Sequence, residues 1–239
     1  MLFLVVLALY YFSQSPLFAV QRIEVEGLQR LTRSELIQES GLSKGQNIFR
    51  IDTNQVKKRL QKDPLIEQVA VKRFLPHTVI IRIKERQPRA LFLAGSTLLV
   101  IDANGYCLDR VSAGRSYDLP VITGLKPSSK ELGEKVSSSE DMRLLLAVLT
   151  PELQSFFSEF NLSERHRIIA YSREGIPILL GSSEDLEKKI EVAISLLKSI
   201  TSLPPVEYID VRAVNAPAVK YRNNVGGTGR EKLYNTDKT

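Results

Sequence analysis

The clearest structural pattern in this chain is the segment IEQVAVKRFLPHTVIIRIKE, residues 66–85. Its second half alternates apolar Val79, Ile81 and Ile83 with a mixed opposite face, which is typical of a strand with one buried side. The residues from Leu75 to Thr78 contain a proline and interrupt the apolar pattern. The segment therefore predicts two strands, residues 66–74 and 79–85, joined by a turn.

The residues before this hairpin complete a compact unit. Residues 20–27 alternate like a strand, and Thr32 with Glu35 forms a capping box for a helix that Gly41 ends. A second helix is expected to begin at a Thr53 cap and to stop at Pro64. The resulting β-α-α-β-β order predicts an α+β domain over residues 17–89.

Residues 90–222 predict a second, β-rich domain with an antiparallel sheet and flanking helices. Three short strands and a fourth ending at Ile122 come first, followed by a helix capped by Ser138 or Ser139. Apolar residues at helical spacing then predict a helix from Thr150 through Phe160, and Ser183 is expected to cap a long helix. The remaining predicted elements are a hairpin (167–180) and two late strands (207–213 and 218–222). Residues 223–239 are glycine-rich and polar, which predicts a disordered tail.

Charge is distributed unevenly along the chain. Residues 20–90 hold 15 Lys and Arg against 8 Asp and Glu, a net +7, whereas residues 91–211 hold 12 against 17, a net −5. A solvated surface is the simple explanation of the basic part, and a face turned toward anionic lipid is the alternative. Nucleic acid is disfavoured because no aromatic stacking motif accompanies the charge.

The N-terminus carries the strongest indication of compartment. Residues 2–12 are apolar without interruption and end in Tyr10, Tyr11 and Phe12, as at a membrane interface. Eleven helical residues cover only about half of a hydrocarbon core. We therefore expect residues 1–16 to hold the outer part of a membrane anchor whose start precedes this sequence.

The sequence shows no recognisable catalytic or metal-binding motif. His77 and His166 are the only histidines and fit no catalytic or metal-ligand motif, and the single cysteine, Cys107, is expected in a core strand. The run Gly226–Gly229 lacks the strand and helix of a phosphate-binding loop. The sequence thus predicts no catalytic, cofactor or metal site, and it favours a binding protein over an enzyme.

The segment Leu75–Val79, followed by Glu85-Arg86-Gln87-Pro88, strongly resembles the FtsQ/DivIB family of bacterial cell-division proteins. The other landmarks of this resemblance are residues 20–27, 62–66, 120–124, 181 and 208–212. The resemblance spans residues 1–222 and implies a single-pass anchor, a POTRA domain, a β-rich domain and a tail. The family's cytoplasmic stub and the inner half of its anchor have no counterpart in this sequence.

The resemblance also implies a function and partners. It implies a divisome scaffold at the septum, in the inner membrane with most of the chain outside the cytoplasm. Its partners would be the FtsB–FtsL coiled-coil pair, and it would help control septal peptidoglycan synthesis by FtsW and FtsI. A POTRA-type chaperone for polypeptide transport is the alternative, although the β-rich second domain is unlike tandem POTRA repeats.

The last predicted strand is the expected partner-binding site. A final strand before a disordered tail is expected to keep one unpaired edge, and a partner segment would add to it by β-augmentation. We expect Tyr221 to be the aromatic anchor of the interface, and the basic side chains to suit an acidic partner segment. Packing of Tyr221 on its own domain is the alternative. The residues of this predicted site are Ala218, Val219, Lys220, Tyr221 and Arg222.

Overall fold

The computed structural model describes residues 1–112, 114–200 and 205–222. The chain begins with helix α1 (Leu2–Ser13), in which no side chain is buried, and a short 3-10 turn, Pro16–Phe18. Across the described residues, no helix combines the length and apolar character that crossing a bilayer requires. The predicted membrane anchoring therefore stays a prediction.

The first unit has the predicted β-α-α-β-β order. Its elements are β1 (Arg22–Glu26), α2 (Arg33–Ser40), α3 (Thr53–Leu60), β2 (Ile66–Phe74) and β3 (Thr78–Glu85). The strands form a three-stranded sheet of order β1-β3-β2, with β1 parallel and β2 antiparallel to β3. The alternation of β3 places Val79, Ile81 and Ile83 in the core, and Leu36 and Leu60 cover them from the two helices.

One of the two predicted helix caps in this unit is correct. Thr32 and Glu35 form the capping box, and Gly41 ends α2 in the left-handed conformation. The predicted Thr53 cap is wrong, since Asp52 caps α3 by accepting from the backbone N–H groups of Asn54 and Gln55. A carboxylate binds two free helix N–H groups, and Thr53 becomes the first helical residue.

The second unit is built on a nine-stranded sheet of order β12-β11-β10-β9-β8-β7-β4-β5-β6. The helices are α4 (Glu140–Val148), α5 (Pro151–Gln154) and α6 (Leu186–Ser199). The strands are β4 (Pro88–Ala94), β5 (Thr97–Asp102), β6 (Cys107–Arg110), β7 (Val121–Thr123), β8 (Phe157–Asn161), β9 (Ile168–Ser172), β10 (Pro177–Gly181), β11 (Val206–Asp210) and β12 (Ala218–Tyr221).

The α+β fold class is confirmed, but the large sheet is mixed rather than antiparallel. Three pairings, β4 with β7, β7 with β8, and β10 with β11, are parallel. Parallel neighbours need a crossover connection. Helices α4 and α5 supply it between β7 and β8, and α6 supplies it between β10 and β11.

Two predicted elements of this unit are wrong. The helix predicted through Phe160 ends at Gln154, and Phe157 and Phe160 belong to β8. A register shift between Phe157 and Glu159 turns both aromatic rings inward, so a strand imitates helical spacing. The predicted Ser183 cap is also wrong: Asp185 precedes α6, and the Ser183 hydroxyl donates to Asp141.

The large sheet buries both faces at one end. Helices α4 and α6 cover one face with Leu145, Leu146 and Ile190. On the other face, Leu91 and Val100 form a smaller core against which Leu65 of the first unit packs. The small sheet ends at Glu85 and the large one begins at Pro88. That each unit folds by itself stays a prediction.

Candidate functional site

Strand β12 ends the large sheet, as the sequence predicts. It pairs antiparallel with β11, with Val219 opposite Ile209 and Ala218 opposite Asp210. Among the described residues, no strand pairs with its other side. Residues 223–239, predicted to be disordered, lie outside the described part of the chain.

The opposite end of the same sheet is covered. The backbone N–H of Cys107 in β6 donates to the Glu134 carbonyl at 2.8 Å, and the Gly133 N–H donates back to Cys107 at 2.8 Å. Tyr106 and Lys135 form a further bridge just before β6. A loop therefore satisfies part of this edge, whereas no described strand pairs with the outer side of β12.

The side chains of β12 divide between the core and solvent. Val219 and Tyr221 are half-buried and pack against the core of the large sheet, while Ala218, Lys220 and Arg222 are exposed. Much of the Tyr221 side chain therefore packs on its own domain, as the alternative predicts. Its role as the aromatic anchor of an interface stays a prediction, and the exposed face of the strand is basic.

Sequence reasoning missed the residues beside Lys220. Its ammonium lies 3.1 Å from the Glu207 carboxylate and 5.4 Å from the centre of the Tyr208 ring. The hydrogen bond with Glu207 raises the pKa of Lys220 above its ordinary value. Glu207 and Tyr208 lie on β11, so only the pairing register connects them with Lys220. An acidic partner segment would therefore compete with Glu207 for Lys220, while Arg222 is exposed.

The backbone of β12 indicates which groups face the open side. The Arg222 N–H donates inward to the Pro205 carbonyl at 2.8 Å. In an antiparallel pair the inward and outward residues alternate. The register shift between β11 and β12 lies between Val206 and Tyr208, on β11, so the alternation of β12 is unbroken. The N–H and C=O groups of Val219 and Tyr221 therefore point outward.

Possible metal ligands and the single cysteine are the other groups to compare with this edge. Within residues 1–112, 114–200 and 205–222, no three His, Cys, Asp or Glu side chains lie together as metal ligands would. Cys107 lies in a core strand as predicted, and burial raises the pKa of its thiol. A protonated, buried thiol is a poor nucleophile.

Comparison with known proteins matches both units. The family model for the FtsQ-type POTRA domain matches residues 18–86, and the model for the C-terminal region of cell division protein FtsQ/DivIB matches residues 92–212. The chain is 31% identical to cell division protein FtsQ of Geotalea daltonii, over 81% of this chain and 72% of the relative. It is 29% identical to the FtsQ of Syntrophotalea carbinolica, over 86% and 75%. Cell division protein DivIB of Clostridium tetani is 27% identical, over 76% and 71%.

Proposed function

Because this chain belongs to the FtsQ/DivIB family of bacterial cell-division proteins, we propose that it is a non-catalytic scaffold that binds a partner through the open edge of β12. Its role is in cell division. The mechanism proposed is β-augmentation, in which a partner strand hydrogen-bonds to the outward backbone groups of Val219 and Tyr221.

One observation supports this mechanism most strongly: the two edge strands of the large sheet differ in whether other parts of the chain hydrogen-bond to them. The β6 end is hydrogen-bonded to the loop around Gly133 and Glu134, and the β12 end has no strand beside it among the described residues. An open sheet edge that binds no partner favours aggregation. Partner binding is therefore the best explanation for an open edge at β12.

Membership of the family supports the choice of partner and of the place of action. The partner is FtsB of the FtsB–FtsL coiled-coil pair, and the assembly acts on septal peptidoglycan synthesis by FtsW and FtsI. The chain is placed in the inner membrane through its N-terminal segment, with both sheets outside the cytoplasm. The acidic partner segment would lie beside the exposed Lys220 and Arg222.

Substituting Val219→Pro tests this mechanism at the backbone. Proline removes an outward N–H and is tolerated on the solvent side of an edge strand. We expect affinity for FtsB to fall at least about tenfold, the equivalent of roughly 1.4 kcal/mol for a lost hydrogen bond and a misfitted partner. Calorimetric titration with the extracytoplasmic part of FtsB measures it.

The matched control is Val219→Ala, which trims the side chain and keeps the N–H. It should bind FtsB within about threefold of the original chain, since its cost falls on packing rather than on pairing. Thermal unfolding checks that both variants are folded. Equal binding by Val219→Pro and the original chain, with both folded, would exclude strand addition at this edge.

A further inference from the structure

Exposed apolar side chains collect at one end of the first unit. Among the described residues after position 13, six large hydrophobic residues are exposed, and four of them lie in the first unit. Phe74 is 68% and Leu75 is 53% exposed at the β2–β3 turn, and Leu17 and Phe49 are 50% and 43% exposed. We name these four residues the turn surface.

The backbone brings the turn surface beside the end of α1. The His77 carbonyl accepts from the N–H of Gln21, so the β2–β3 turn lies at the start of β1. The Asn47 amide donates to the Ser13 carbonyl, the last residue of α1. The Arg73 guanidinium donates to the Ile51 carbonyl at 2.7 Å, which connects the end of β2 with the segment that carries Phe49.

Aromatic rings continue this contact into α1. The Phe12 ring of α1 lies 5.2 Å from Phe18, and Phe18 lies 4.9 Å from Phe49. The turn surface is thus continuous with a helix whose side chains are all apolar from Leu2 to Phe12 and none of which is buried.

Basic side chains adjoin two residues of the turn surface. Arg50, Lys72 and Arg73 are exposed and adjoin Phe49 and Phe74 in the sequence. The nearest carboxylate in sequence is that of Asp52, which is engaged in capping α3. Apolar side chains beside Lys and Arg suit the interface of a bilayer that contains anionic lipid.

We infer that the turn surface lies in the interface of an anionic bilayer, so that the β2–β3 turn forms a second membrane contact beside α1. A protein partner is less well matched, because the apolar residues are continuous with α1 rather than set in a groove. This contact rests on the proposed placement of α1 in the membrane and is independent of strand addition at β12.

A tryptophan reporter tests the contact, because the chain contains no Trp. Leu75→Trp places one at the turn, and Leu132→Trp is the matched control at a similarly exposed leucine of the second unit (47%). Tyr11→Trp reports α1 itself. Each variant of the 239-residue chain is reconstituted into vesicles of phosphatidylglycerol and acyl-brominated phosphatidylcholine, and quenching of its emission by the bromine atoms is measured.

We expect the Trp at 75 to lose about half of its emission, since interfacial side chains lie roughly 5–10 Å into the boundary. The Trp at 11 should be quenched and the Trp at 132 should not. Quenching at 11 alone would overturn the second contact and leave α1 in the membrane. Quenching at neither 11 nor 75 would overturn both placements, and equal quenching at 75 and 132 would overturn a specific contact.

A charge reversal distinguishes specific membrane contact at the turn surface from nonspecific adsorption to the vesicles. In the Leu75→Trp background, Lys72→Glu should reduce quenching in phosphatidylglycerol vesicles. Lys62→Glu, at another exposed lysine near the opposite end of β2, should leave quenching unchanged. Equal effects of the two reversals would contradict the role of the charge at the turn.

Discussion

Replacing Arg86 with Met is expected to lower the free energy of unfolding by about 3 kcal/mol. The Arg86 guanidinium donates to the Asp102 carboxylate at 2.6 Å, and the two side chains are only 14% and 4% exposed. The guanidinium also lies 4.0 Å above the centre of the Tyr106 ring. Without it, a buried carboxylate keeps only backbone donors, from Asn104 and Tyr106.

The matched control is Arg82→Met. Arg82 also pairs with a carboxylate at 2.6 Å, that of Glu26, but these side chains are 54% and 47% exposed. An exposed pair contributes about 0–1 kcal/mol. Urea unfolding of both variants gives the comparison. Equal losses for Arg86 and Arg82 would mean that burial does not determine the effect.

Glu85→Gln is expected to cost about 2 kcal/mol, because charged acceptors make stronger hydrogen bonds than neutral ones. The Glu85 carboxylate is buried and accepts from the backbone N–H groups of Gln29, Arg30 and Leu31 at 2.8–3.2 Å. An amide offers one acceptor oxygen where these donors now meet two. Glu26→Gln, at an exposed carboxylate, should cost within about 0.5 kcal/mol.

The same carboxylate predicts a pH dependence. Burial alone raises the pKa of Glu85, but the backbone donors Gln29, Leu31 and Arg30 outweigh burial and hold the pKa below its ordinary value of 4.5. A lowered pKa stabilises the fold above pH 4.5, and this stability is lost as the pH falls through the folded-state pKa. The difference between the original chain and Glu85→Gln should therefore shrink on acidification. A difference that stays constant down to pH 3 would contradict this role of the charge.

Glu85 and Arg86 belong to the Glu85–Pro88 motif on which the family resemblance depends, and their contacts indicate its structural role. Glu85 closes the end of β3 over residues 29–31, and Arg86 extends from the connection into the second unit. The Arg86 carbonyl also accepts from the Arg30 side chain at 2.8 Å. The motif thus joins the two units.

The first unit was predictable because its signals are local. Alternation in β3 and the capping box at Thr32 each determine their own element. The second unit was less predictable from its sequence. Strand β8 depends on pairing with β7 and β9, and its register shift gives the buried residues a spacing like that of a helix. Parallel pairing in the large sheet likewise leaves no local pattern.

The position of β12 at the end of the large sheet was predictable, and its use as a partner site stays a prediction. A last strand before a polar tail predicted that β12 ends the large sheet, but the Glu207 partner of Lys220 depends on the register with β11. The turn surface was missed because Phe74 and Leu75 resemble the end of an ordinary apolar strand. An apolar pair beside the turn proline, next to Lys72 and Arg73, was the available signal.

Amide hydrogen exchange at β12, followed by NMR with and without FtsB, tests the central claim most directly. Strand addition predicts that the outward amides of Val219 and Tyr221 exchange at least about tenfold more slowly in the complex, since new hydrogen bonds protect them. The Lys220 amide faces inward by the same alternation and serves as the internal control. Unchanged exchange at Val219 and Tyr221 in a saturated complex would contradict binding at this edge.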